Sequence, residues 1–181
     1  MPEVTPICQF GTKAISFSLK GTDEKIYNLN KFRGENGTLI MFICNHCPYV
    51  KGVIDRIVSD VKSLQEKNVG CVAIMSNDVE NYPEDSFENM KKFSKINNFT
   101  FPYLYDETQE IAKKYGAVCT PDFFGYNKRL ELQYRGRLDN AGISGEELKD
   151  KELINAFNKI IKTGNGPEKQ TPSMGCSIKW K

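Results

Sequence analysis

The stretch Thr38–Leu39–Ile40–Met41–Phe42–Ile43 is an apolar, β-branched run of the kind that forms a buried strand. It leads directly into Cys44–Asn45–His46–Cys47–Pro48. Beyond it, Val50, Val53, Ile54, Ile57, Val61 and Leu64 recur on one helical stripe, which predicts an amphipathic helix ending near Lys67–Asn68. A strand that hands two cysteines to the start of a helix narrows the possible folds sharply. It also suggests a chemistry. The free N–H groups and positive dipole end of a helix favour a thiolate, and a cysteine three positions away lies close enough to form a disulfide with it. On this reading Cys44 is the exposed nucleophile and Cys47 the thiol that resolves its mixed disulfides.

The elements around that centre alternate. Ile15–Leu19 and Lys25–Leu29 have period two on either side of a Gly21–Glu24 turn, which predicts a hairpin. Asn30–Gly34 reads as a short helical turn, and Val69–Met75 as a second buried strand. Asp85 or Ser86 caps a helix carrying Phe87, Met90 and Phe93, and Phe101–Tyr105 is extended. Asp106 caps a further helix that stops at Gly116. Val118–Tyr126 and Leu130–Tyr134 form a late hairpin. Ser144 and Glu147 offer a capping box for the last helix, with Asp150 as the other possible start and Gly164 as its end. The expectation is one domain over residues 1–181, with an extended lead-in at 1–12 and a polar tail at 165–181. The strands joined by helices predict a parallel pair and the late hairpin an antiparallel edge, hence a mixed sheet flanked by helices.

Charge excludes some functions. With 25 basic and 23 acidic residues the net charge is +2, which provides no electrostatic pull toward nucleic acid or an anionic membrane. No apolar run reaches the ~18 residues of a membrane span. No basic segment followed by an apolar core marks a signal peptide, so a cytoplasmic setting is expected, where most thiols stay reduced. The 6 cysteines therefore read as chemistry or packing rather than as a structural disulfide frame. Cys8, Cys71 and Cys119 read as core residues. Cys176 sits in the tail beside Gly175 and near Trp180, where a third thiol could relay electrons. Arg135 and Arg137 could stabilise a thiolate, although exposed hairpin arginines usually do not. Zinc is the competing use of a Cys-x-x-Cys pair. Against it, no second such pair is present and His46 is the only histidine, so no metal or other cofactor is expected.

Met41–Lys51, Phe101–Asp106, Cys119–Phe124 and Gly175–Trp180 resemble the corresponding segments of the peroxiredoxin-like (AhpC/TSA) branch of the thioredoxin superfamily, in a group marked by the motif from Cys44 to Lys51. The resemblance implies a three-layer α/β/α sandwich with a mixed central sheet, an N-terminal hairpin extension and a peroxiredoxin-type insertion. It implies that Thr120–Pro121 is the cis-proline site where an extended substrate pairs with backbone. It also places His46 and Asn45 inside the redox motif, with His46 favouring the thiolate and Asn45 acting at the helix start. One departure stands out. Peroxiredoxins carry their peroxide-reacting cysteine at the position of Cys47, with Thr or Ser three residues earlier; here Cys44 stands there. The reading is therefore thiol–disulfide exchange, with thiol peroxidase or a non-catalytic, metal-holding module as alternatives. Its substrate would be a disulfide-bearing protein or a small thiol, and its reductant a thioredoxin or glutathione system.

Overall fold

In the computed structural model, which describes residues 1–181, seven strands form one mixed sheet. They are β2 (Ser18–Gly21), β3 (Ile26–Asn28), β4 (Gly37–Phe42), β5 (Val69–Met75), β6 (Tyr103–Tyr105), β8 (Asp122–Tyr126) and β9 (Leu132–Tyr134), in the order β3-β2-β6-β5-β4-β8-β9. The central strand β4 pairs parallel with β5 and antiparallel with β8, and β5 pairs parallel with β6. The early hairpin is present, with Ser18 opposite Asn28, and it joins the sheet through β6.

Side-chain alternation along β4 divides the core. Leu39 and Met41 face one cluster, and Ile40 and Phe42 the other. On the first face lie α2 (Pro48–Lys51), α3 (Ile54–Glu66), α4 (Phe87–Ile96) and α6 (Glu152–Thr163); on the second lie α1 (Leu29–Phe32) and α5 (Glu110–Tyr115). Val50, Ile57, Val61 and Leu64 are fully buried, as their stripe predicts. Each such aliphatic side chain contributes roughly 1.5–3 kcal/mol on removal from water. Phe157 of α6 is also fully buried, and a Cβ at Gly37 or Gly125 would press on its ring. Two adjacent strands thus leave room for one aromatic side chain.

Three local expectations are corrected. The helix after Cys47 is broken at Gly52–Val53, where Ile143 packs so closely on Gly52 that a Cβ there would overlap it. The Ser144–Glu147 capping box does not form, because the Ser144 hydroxyl accepts the Glu146 N–H and the helix starts only at Glu152. Asp106 acts as a cap from a distance, taking the Ala112 N–H at 2.9 Å, while Gln109 holds the cap position itself. Gly116 and Gly164 end their helices in the left-handed conformation.

The tail departs most from the sequence reading. β10 (Met174–Ser177) lies between β1 (Pro2–Val4) and β7 (Cys119–Thr120) in a separate three-stranded antiparallel sheet. The chain beyond it is held by the Asn77 side-chain oxygen Oδ1 on the Lys179 N–H at 2.9 Å and by the Gln109 side-chain oxygen Oε1 on the Lys181 N–H at 2.9 Å. No helix is long and apolar enough to cross a membrane.

Candidate active site

Cys44 lies in the bend after β4, and Cys47 is the residue that caps α2. The first helical turn is therefore next to Cys47, three residues nearer than Cys44. Both are unpaired thiols. Thr120 lies across from both. Its hydroxyl is 3.3 Å from the Cys44 sulfur, and its carbonyl oxygen is 3.4 Å from the Cys47 sulfur. The Thr120–Pro121 bond is cis, and Cys119 beside it is core, fully buried. Cys71 is buried in β5 and Cys8 is half-buried, in keeping with packing roles.

The expected exposure of Cys44 is overturned. Cys44 is 1% and Cys47 0% exposed. The physical reason is β10. Cys176 sits opposite Thr120 in the β7–β10 ladder, and a Cβ on Gly175 would overlap the Thr120 carbonyl. The chain's own last strand thus fills the edge that the resemblance reserves for substrate, and Ser173 fastens it with a 2.7 Å hydrogen bond to the Pro121 carbonyl. Cys176 itself is only partly buried and packs against the cluster that contains both Cys44 and Cys47.

The thiolate also falls on the other cysteine. Hydrogen bonding by the Cys44 thiol, aided by the Cys176 thiol and N–H and by Thr120, holds Cys47 down to about 4 against the desolvation that opposes it. Cys44 is pushed up because it gives its S–H to Cys47, because it is buried, and because the Asp85 charge is near. Cys176 is raised to about 11, chiefly by burial.

His46 is held by Asp85, with a ring nitrogen within 4.8 Å of the Cys44 sulfur. Its Nδ1 is 2.6 Å from Asp85 Oδ2, and its ring stacks on Tyr82 with centroids 5.7 Å apart. Asp85, fully buried, also accepts the Asn45 N–H at 2.7 Å and the Asn77 side-chain amide at 2.8 Å. Asn45 is more than a helix-start residue. Its side-chain oxygen accepts the Tyr103 hydroxyl at 2.8 Å and its amide donates to the Glu84 carbonyl at 3.1 Å, locking the bend between the cysteines. Sequence reasoning missed Asp85, Tyr103 and Tyr82 here; Asp85 showed only as a possible helix cap. Arg135 is not an exposed hairpin arginine but a buried one, 3.0 Å from Asp122, and Arg137 is held by Glu152 at 2.6 Å. Neither guanidinium is free for a thiolate.

Cys44, His46 and Asp85 bring a sulfur, a ring nitrogen and a carboxylate oxygen within 4.8 Å of one another, the donor types of a zinc site. The Asp85 oxygens, however, already accept from Asn45, His46 and Asn77. On the far side of Pro121 a cavity of about 370 Å³ is lined by Tyr49, Val53, Phe123, Leu138 and Met174.

Residues 10–139 match the AhpC/TSA family. The chain belongs to that family. It is 43% identical to a conserved protein from Geobacillus kaustophilus of known crystal structure, covering 100% of this chain and 97% of that one at a TM-score of 0.94. A hypothetical protein from Sinorhizobium meliloti is 34% identical, over 98% and 97% of the two chains, with a TM-score of 0.91. The thioredoxin domain of a thiol-disulfide oxidoreductase from Bacteroides vulgatus shares the fold at 14% identity, with a TM-score of 0.64 over 84% of this chain and 97% of that one. Among curated proteins none matches. The AhpC/TSA assignment and the thioredoxin fold together support a thiol redox function.

Proposed function

We propose that the chain is a thiol–disulfide oxidoreductase whose Cys44 and Cys47 cycle between dithiol and disulfide. The observation that carries this reading is that Thr120 of the cis Thr120–Pro121 segment touches both sulfurs, its hydroxyl 3.3 Å from Cys44 and its carbonyl oxygen 3.4 Å from Cys47. The low value of Cys47 makes it the attacking sulfur and Cys44 the resolving one, the reverse of the order expected from the helix start alone. Attack of the Cys47 thiolate on a disulfide brought within its reach breaks that S–S bond and gives a mixed disulfide. The Cys44 sulfur, its proton lost, then attacks Cys47, forming the internal disulfide and releasing the second substrate thiol. A protein disulfide or small disulfide is the substrate, a thioredoxin or glutathione system restores the dithiol, and the setting is cytoplasmic.

A second reading, thiol peroxidase, is favoured by one observation. The lowered thiolate stands on Cys47, the position of the peroxide-reacting cysteine in peroxiredoxins, and the Thr120 hydroxyl lies 3.3 Å from its neighbour Cys44. The deciding experiment equilibrates the reduced protein with mixtures of glutathione and its disulfide and counts free thiols by alkylation and mass. A single two-electron couple linking Cys44 to Cys47 supports the first reading. Thiols that stay reduced throughout, alongside NADPH-coupled peroxide consumption, would replace it with the second.

A further inference from the structure

The buried pair presents a difficulty that the fold itself resolves. Cys44 and Cys47 are 1% and 0% exposed, so a protein disulfide has no direct approach to either sulfur while β10 is in place. The residue that β10 sets opposite Thr120 is a cysteine, partly exposed, packed against the same core cluster as the pair. Gly175 next to it has no Cβ, which lets the strand lie directly on the Thr120 carbonyl and sets Cys176 opposite Thr120, the residue that touches both sulfurs.

We propose that Cys176 is the exit thiol of a three-cysteine relay, carrying oxidising equivalents between the sealed Cys44–Cys47 pair and solvent through a transient Cys47–Cys176 disulfide. This rests on the oxidoreductase reading above and says by which sulfur that site meets its substrate. From the oxidised pair, the Cys176 sulfur attacks Cys47 Sγ. The Cys47–Cys176 bond forms as Cys44–Cys47 breaks; the electron pair leaves on Cys44 Sγ, and the proton given up by Cys176 is taken up there. One disulfide is exchanged for another, so no net oxidation occurs. A substrate thiolate then attacks Cys176 Sγ from solvent and expels Cys47 as the thiolate its surroundings favour. A second substrate thiol resolves the mixed disulfide on Cys176, leaving the substrate oxidised and the protein reduced. Run backward, the same steps reduce a substrate disulfide.

The trap is a Cys44→Ser variant, with Cys44→Ala as its replacement should serine unfold the chain, treated with oxidised dithiothreitol and digested with trypsin without reduction. The expected product is the peptide Gly34–Lys51 joined to Gln170–Lys179, a bond that only Cys47 and Cys176 can make. Recovery of both peptides as free thiols overturns the relay. In Cys176→Ser, insulin reduction should fall about tenfold because access sets the rate of exchange, while the Cys44–Cys47 disulfide still forms with glutathione disulfide. Unchanged insulin reduction in that variant also overturns the relay and leaves the oxidoreductase reading standing. Absence of the Cys44–Cys47 disulfide in the wild-type protein removes both.

Discussion

His46 and Asp85 are 39 positions apart in sequence, and their side chains meet at 2.6 Å. That contact fixes the imidazole with a ring nitrogen within 4.8 Å of the Cys44 sulfur. A histidine inside a Cys-x-x-Cys motif reads as a tuner of the thiols, yet here the groups that lower Cys47 are the Cys44 thiol, Cys176 and Thr120. The His46–Asp85 pair instead anchors the bend that carries both cysteines, since Asp85 also holds the Asn45 N–H.

Two variants separate tuning from anchoring. Titrating thiolate absorbance in the reduced protein should give the same low Cys47 value in His46→Ala as in the wild type. Thr120→Val should raise it, because a hydroxyl donor is lost. A His46→Ala titration moved toward the ordinary cysteine range would restore the imidazole as the tuner.

Asp85→Asn should destabilise the fold by about 1–3 kcal/mol in urea denaturation, since one of three buried donors would face an amide N–H₂ in place of oxygen. Loss of the carboxylate charge should also bring Cys44 down, because Asp85 now holds it up. Unchanged stability would mean that the bend is held by Tyr103 and Asn45 alone.

The pH dependence of the reduced protein follows from the two thiols. Cys47 titrates at about 4 in the fold against an ordinary 9.0. Between those values the unfolded chain binds the extra proton, so stability rises with pH across the window and the contribution disappears as pH falls through about 4. Above 9.0 the sign reverses, because Cys44 is held protonated in the fold while the unfolded thiol ionises. Melting temperatures of the reduced wild type should show this rise and reversal, and Cys47→Ser should lose the rise.

Gly175→Ala tests the seal. The added methyl meets backbone, the Thr120 carbonyl and the Pro121 nitrogen, so β10 must shift rather than a side chain. Overpacking of this kind costs about 1–3 kcal/mol. Alkylation of Cys44 and Cys47 by a maleimide should become faster than in the wild type. Equal rates would show that the sulfurs are reached without moving this strand.

Phe157→Ala should cost about 3–5 kcal/mol, the usual range for a buried aromatic. Its ring is fully buried over Gly37 and Gly125, and two glycines cannot fill the space it leaves. Chemical denaturation reads the loss directly, and a cost under 1 kcal/mol would mean that α6 collapses into the gap.

The parts of the fold legible in the sequence are those with local causes. β4, β5 and the α3 stripe follow from hydrophobic period, and the ends of α5 and α6 follow from Gly116 and Gly164. The break at Gly52 did not show, because its cause is Ile143, ninety-odd residues away and in contact only after folding. The Ser144–Glu147 motif misled for a related reason. Asn140 takes the Lys149 and Asp150 N–H groups, which holds the segment in a loop. At the site, both cysteines, Thr120 and Pro121 were visible as residues, but their exposure was not. Burial here is imposed by β10, a four-residue strand with no hydrophobic alternation, paired to residues near both the start and the late middle of the chain.

That pairing fixes an order of events. The three-stranded cover draws on residues 2–4, 119–120 and 174–177, so it cannot close until nearly all of this chain has left the ribosome. Until then β10 does not cover the sulfurs, and whatever redox couple surrounds the chain at that stage acts on them before the cover closes.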